Sequence, residues 1–312
     1  MNFSESEIIA QLAIIFASPD PRVEVGIGDD AAVLAPTSTR WVVTTDMAVE
    51  GVHFRQDWSS AYEIGAKITA ANLADIYAMG AKPRHLVAAI SLTGSESLSW
   101  IMELATGMRD EAAKTGSTIV GGDLTRGPII TLALTALGTV ENAILRSGAK
   151  VGDEIYISQL PGFSAAGLHL LSQDVLLATK LRQVKCAKRA IAQFRAPEVA
   201  YGEAIAFARA HSLCDVSDGL LTQATQMAEA SGVNFLLRSD DLARHSDFSE
   251  LAALAQEVGA DIWDWVYGGG EDHIFLATGI DLPGWVIGEV RAGSGVEVAG
   301  VEKTPQGFRH FQ

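Results

Sequence analysis

The stretch "VEVGIGDDAAVLAP", residues 23–36, decides the fold class. Its "GIGDDA" formally satisfies the glycine-rich fingerprint of dinucleotide-binding proteins after a short β-branched run, but that fingerprint must open a helix whose backbone amides face a pyrophosphate. Only "AAVLA" separates the motif from Pro36, too little chain for a crossover helix. Asp29 and Asp30 would also confront the phosphates with bare carboxylates. The Rossmann reading therefore gives way to two others: a hairpin turn with solvated acids, or a place where carboxylates wait for a cation.

The pattern recurs. Asp46 follows the strand "WVVTT", Asp123 follows "TIVGG", Asp215 and Asp218 fall in "LCDVSDGLL", and Glu271 with Asp272 follows "YGGG". Asp75 lies in the alanine-rich helix "ITAANLADIYAMG" on one face with Asn72 at i, i+3 spacing. Two carboxylates about 4 Å apart repel by about 4 kcal/mol at an effective dielectric of about 20, so a convergent set needs hard cations. The oxygen donors favour magnesium over zinc, with coordination completed by water and substrate phosphate. Neither a Walker loop nor the protein-kinase motif set is present. "GGDLTRGP", with Gly121, Gly122 and Arg126, and "LRSGAKVGD", with Arg146 and Lys150, remain as phosphate holders, although each also reads as a surface turn.

Composition sets the frame. The 312 residues are 48% hydrophobic and 20% charged, enough for a sizeable core in one large or two medium domains. The net charge of -15 repels nucleic acid and anionic membrane. The apolar run "IIAQLAIIFA" imitates a signal peptide, but no cation precedes it, and Ser4 with Glu7 reads as a capping box opening a folded helix. Cys186 and Cys214 lack metal spacing and fit a reducing cytoplasm. Hydrophobic periodicity predicts strands in "RVEVGI", "AAVLA", "RWVVTTDM" and "HLVAAISL", and a helix over residues 60–83 closed by Gly80 and Pro83. A second helix, "SLSWIMELATGMRDEAAKTG", and the strands "TIVGGD" and "IITLALTALGTV" follow. The turn-rich segment 141–153 separates domains 1–140 and 141–312. The second half predicts helices near 164–172, 185–195, 197–211 and 219–231, and strands near 155–158, 213–216, 233–237, 273–278 and 285–290. The fold class is α/β (α+β) in two domains.

Seven strings, "GIGDDAAVL", "TTDMAVEGVHF", "AANLADIYAMGAKP", "GGDLTRGP", "LRSGAKVGDEIYIS", "DVSDGL" and "GGGEDH", stand in this order. Together they resemble the thiamine-monophosphate kinases of the aminoimidazole ribonucleotide synthetase-like superfamily. The likeness weakens near 172–210 and 238–262. It implies ATP-dependent phosphorylation of thiamine monophosphate to thiamine diphosphate in a cytoplasmic homodimer. It also implies an N-terminal mixed sheet with helices that dimerises through its sheet, and a C-terminal α/β domain closing over the nucleotide.

By position, Asp30, Thr44, Thr45, Asp46, Asp75, Asp123, Asp215 and Asp218 resemble the family's magnesium ligands. Gly122, Asp123, Arg146 and Ser217 resemble its ATP contacts, and His53, Glu271 and Phe308 its thiamine-phosphate contacts. Asp46, Asp75, Asp123, Asp215 and Arg146 are thereby expected to carry the transfer between ATP and thiamine monophosphate. Blander roles stay open: Thr44 and Thr45 as strand residues, His53 as a turn cap, Phe308 as a terminal side chain covering the core. One departure is local. The family string runs closer to "SGGEDYE", so Tyr267 and His273 are candidates for altering the substrate side. No cysteine precedes residue 186 and the tail "QGFRHFQ" carries no thiol, which argues against the selenophosphate and hydrogenase-maturation relatives. A purine-pathway synthetase is the alternative enzyme, and an inactive, acidic, divalent-cation-binding interaction protein the alternative of another class.

Overall fold

The computed structural model describes residues 5–17, 20–25, 33–172 and 184–301. The chain divides into two compact units, one of residues 1–76 and 81–142, the other of residues 77–80 and 143–312.

The first unit opens with α1 (Glu5–Ile15) and the two-stranded antiparallel pair β1 (Val23–Val25) and β2 (Val33–Leu34). Its body is a sheet of β3 (Arg40–Val49), β4 (Lys82–Leu92), β5 (Thr118–Arg126) and β6 (Thr131–Val140), in spatial order β3-β6-β4-β5. Only β4 and β5 run parallel; the other pairs are antiparallel, so the sheet is mixed. Side chains alternate between the faces. Ala48, Ala88, Ile90, Leu132, Leu134 and Ala136 are buried on one face. There α2 (Ala61–Ala78) lies on the sheet, with Ile76 touching the position a Cβ would take at Gly138. Beside it runs α3 (Leu98–Lys114), started by Ser97 Oγ accepting the Trp100 N–H at 3.1 Å. The two helices meet backbone to backbone: a Cβ at Gly65 would stand 2.1 Å from Leu104 O, and one at Gly107 2.0 Å from Tyr62 O. Trp41, Val43 and Met47 project from the opposite face into solvent.

The second unit holds β7 (Glu154–Ile157), β8 (Ser212–Val216), β9 (Asn234–Arg238), β10 (Ile274–Gly279), β11 (Trp285–Arg291) and β12 (Gly295–Ala299) in the order β12-β9-β11-β7-β10-β8. All its pairs are antiparallel except β12 with β9. Its helices are α4 (Phe163–Ser172), α5 (Lys185–Arg195), α6 (Tyr201–Ala206), α7 (Leu220–Ser231), α8 (Ser239–Ala243), α9 (Phe248–Val258) and α10 (Ile262–Gly268). Phe235, Tyr267, Leu237 and Leu276 are among the fully buried side chains of its core.

Several expected boundaries move. Pro83 does not follow the helix as a stop but sits inside β4, where the register to β6 shifts between Pro83 and His85 and its missing N–H disturbs no regular ladder bond. The helix expected over 197–211 is only α6, because Phe207 leaves the helix to enter the core, fully buried. Strand β12 and helices α8 to α10 had no clear signal in the sequence periodicity.

Candidate active site

The first unit supplies acids from both a strand and a helix. Strand alternation turns Thr44 and Asp46 toward the helix-covered face, since their partners Ala136 and Leu134 on β6 are fully buried. There Thr44 Oγ1 donates a 2.6 Å hydrogen bond to Asp75 Oδ2 on α2. One carboxylate oxygen of Asp46 is buried in the same layer. Asn72, one helical turn before Asp75, is fully buried; its Nδ2 donates to Ile68 O at 2.9 Å, while its Oδ1 has no hydrogen-bond partner among the described residues. Thr44, Asp46, Asp75 and Asn72 thus present only hard oxygen atoms, the donor set a magnesium ion takes.

Thr45 points the other way. Its hydroxyl donates to Leu134 O at 2.9 Å and accepts from Thr135 Oγ1 at 3.1 Å, so its side chain is committed to the sheet. Asp123 is remote from these acids within the unit. The register links Asp46 through Leu134 and Ala88 to Gly122, so Asp123 stands at the β5 edge, three strand spacings or about 14 Å along the sheet from Asp46. Asp123 pairs with exposed Ala89 and is itself exposed. Gly122 is glycine for a packing reason also, because a Cβ there would lie 2.0 Å from Ala88 O. His53, in the turn after β3, accepts the Val49 N–H on Nδ1 at 3.1 Å, the turn-capping role, and its carbonyl receives Lys67 Nζ at 3.1 Å. Asp30 and Phe308 lie outside the described residues, and among those described no three His, Cys, Asp or Glu side chains form a metal cage.

In the second unit, Asp215, Ser217, Asp218 and Glu271 come from two segments laid against each other. Strand β8 is buried throughout and ends at Val216; Ser217, Asp218 and Gly219 then turn the chain into α7, with Gly219 at φ 106°. Only glycine adopts that angle readily, and a Cβ there would stand 2.8 Å from Gly268 O. A Cβ at Gly270 would likewise meet Ser217 O at 2.4 Å, and the Glu271 N–H donates to that same carbonyl at 2.6 Å. The glycine run before Glu271 is what allows this approach.

Glu271 and His273 then take left-handed φ values of 64° and 50°, which cost about 1–3 kcal/mol each in a non-glycine residue. The residue between them secures the bend. Asp272 is fully buried and accepts the N–H groups of Gly162 at 2.6 Å and Ser164 at 2.8 Å, at the start of α4. Burial pushes its carboxyl up to about 6 against the pull of those two donors. Asp215 is 2% exposed in its side chain and lies 3.1 Å by Oδ2 from Nδ1 of His273. Arg146 is exposed on a 3-10 turn and reaches Gln226 of α7 with Nη1 at 2.6 Å. Tyr267 packs in the core of the second unit. It is fully buried, shares a 2.8 Å hydrogen bond with Ser239 Oγ, and burial raises its phenol to about 12.

Sequence reasoning assigned no role to Asp272 and gave His273 only as a departure on the substrate side. The signal for both was the glycine run, which demands a special backbone at the residues that follow it.

Residues 28–140 match the family described as AIR synthase related protein, N-terminal domain. The thiamine-monophosphate kinase of Mycobacterium tuberculosis is 38% identical over 276 residues, covering 87% of this chain and 80% of that protein. The chain belongs to the thiamine-monophosphate kinase family. A crystal structure of thiamine-monophosphate kinase from Stenotrophomonas maltophilia K279a superposes with a TM-score of 0.80 at 32% identity, covering 96% of each chain. The structure of AaThiL complexed with AMPPCP and TMP matches with a TM-score of 0.77 at 26% identity, over 100% of this chain and 99% of that one. The mixed α/β architecture of both units is thus that of the family.

Proposed function

We propose that this chain phosphorylates thiamine monophosphate with ATP, giving thiamine diphosphate and ADP. The observation that carries the reading is the end-to-end likeness to a kinase solved with an ATP analogue and TMP together. An ionised phosphate oxygen of the acceptor attacks the γ-phosphorus in line as the bond from that phosphorus to the β-γ bridging oxygen breaks and ADP leaves. The acceptor oxygen already carries negative charge at neutral pH, so positioning and charge neutralisation carry the catalysis and no protein nucleophile or strong base is required.

Asp30, Thr44, Thr45, Asp46, Asp75, Asp123, Asp215 and Asp218 would hold several magnesium ions. Bound magnesium supplies the screening between the two polyanions. The residues present fit such ions, since Thr44, Asp75 and buried Asn72 offer oxygen atoms only. Gly122, Arg146 and Ser217 serve the nucleotide, Arg146 with a fixed positive charge on an exposed turn. His53, Glu271 and Phe308 serve thiamine monophosphate.

The homodimer has support in the first unit. Trp41, Val43 and Met47 leave an apolar sheet face in solvent, and a second copy seated on it would bury that face. The cytoplasm is the compartment that suits Cys186 and Cys214, neither of them in a disulfide and both buried in the second unit, with burial pushing the Cys186 thiol up to about 11. No helix among the described residues is long and apolar enough to cross a membrane. Acidic charge of -15 gives nucleic acid no purchase.

Phosphorus NMR of the protein with magnesium, ATP and thiamine monophosphate tests the proposal, with new diphosphate and ADP signals growing in equal amounts. ADP formation only with a purine-pathway phosphate would move the chain to the synthetases. No turnover of any phosphorylated metabolite would leave the cation-binding interaction protein as the reading.

A further inference from the structure

The segment Gly270–His273 holds more than a substrate contact. His273 stands in a left-handed conformation at φ 50°. Its N–H donates to Val216 O at 3.1 Å, and the next residue, Ile274, enters β10 opposite Val216. On its other side Asp272 is clamped to the start of α4. The backbone of His273 is therefore fixed from both directions, and its ring meets Asp215: Nδ1 lies 3.1 Å from Oδ2, with the two side chains only 8% and 2% exposed. A carboxylate acceptor at Oδ2 pairs with the imidazole tautomer that carries its proton on Nδ1.

We infer that His273 is the positioning residue for Asp215: its Nδ1–H holds Oδ2 and leaves Oδ1 as the oxygen that takes the cation of the phosphoryl-transfer site. The inference rests on the proposed reading of Asp215 as a magnesium ligand. A carboxylate at the end of a buried strand can rotate about its terminal bond, and a cation bound by one oxygen requires that rotation to be stopped. Outer partners of this kind typically change metal affinity by about 10–100-fold when removed.

The test is direct binding of Mn²⁺ to the full chain in the presence of AMPPCP, read from the electron paramagnetic resonance of free Mn²⁺ and independent of turnover. His273→Leu is expected to weaken Mn²⁺ binding by about 10–100-fold, whereas His273→Asn, whose amide donor falls near the Nδ1 position, should remain within about threefold of the parent. Melting temperatures taken alongside identify loss of fold. Should the leucine variant not fold, His273→Gln replaces it, because its longer side chain carries the donor past Asp215. Undiminished binding in His273→Leu or His273→Gln overturns the inference, as does equal weakening in the asparagine variant. Asp215→Asn separates the two levels of the argument. If it loses Mn²⁺ while the His273 variants do not, only the positioning role falls; if it too binds normally, the ligand reading of Asp215 falls and takes the inference with it.

Discussion

Replacing Asp272 with asparagine probes the joint that holds Glu271 and His273 in place. The carboxyl is fully buried and titrates at about 6 in the fold against 3.8 in the unfolded chain, chiefly because burial disfavours its charge. A raised carboxyl pKa means that the folded protein binds more protons than the unfolded one between these two values. The stability linked to this group is therefore fully present below 3.8 and is lost as pH rises through about 6. Worked through, the linkage amounts to about 2 kcal/mol between about pH 7 and about pH 4.5. Asparagine has no such titration. It keeps one acceptor oxygen for the N–H groups of Gly162 and Ser164, so losing the second bond adds an offset of about 1–3 kcal/mol that does not vary with pH. The titration shows in the slope alone. Urea unfolding followed by the fluorescence of Trp263, Trp265 and Trp285 at several pH values reads it out. The parent should gain about 2 kcal/mol on Asp272→Asn as pH falls across that range. A difference that stays flat to within about 0.5 kcal/mol would refute the argument that a buried, proton-hungry carboxylate fastens this loop.

Asp75→Asn keeps the acceptor for Thr44 but removes a negative charge, so turnover should fall by about 100-fold or more with the fold intact, and the metal-free protein should melt no lower than the parent. Near-normal turnover would make Asp75 a structural residue. Met47 is 58% exposed on the apolar sheet face, and Met47→Asp would bury an unpaired charge in any sheet-to-sheet dimer, so it should convert a dimer to single chains in light scattering, and an unchanged mass would place the contact elsewhere. Phe308→Ala should raise the KM for thiamine monophosphate several-fold, through loss of an aromatic contact with the cationic thiazolium worth about 0.5–2 kcal/mol, and leave the KM for ATP within about twofold. Equal weakening of both substrates, with a lower Tm, would assign Phe308 to packing.

The helices and strands that carry the acids were legible because periodicity and punctuation agree there. The alternation in "RWVVTTDM" marks β3, and the alanine-rich run through Asp75 forms α2, whose small side chains lie close to the sheet. Helices α8 to α10 were not legible, because their segments of 5, 11 and 7 residues are stabilised by the core they cover more than by their own patterns. The glycine run 268–270 announced an unusual backbone without saying what it was for.

Sequence by itself determined which chemistry is available: hard oxygen donors at the ends of strands, two cysteines without metal spacing, and too little chain after "GIGDDA" for a dinucleotide crossover helix. Those properties are local, set by residue type and spacing along the chain. Tertiary structure alone decided which donors meet. Strand alternation sends Thr44 to Asp75 and Thr45 to the opposite face, and strand order keeps Asp123 about 14 Å from Asp46. Burial of Asp272 under α4 fixes a left-handed turn that carries His273 to Asp215, 58 residues away along the chain. Such encounters depend on how strands are ordered and helices packed, and no spacing of residues along one strand or helix encodes them.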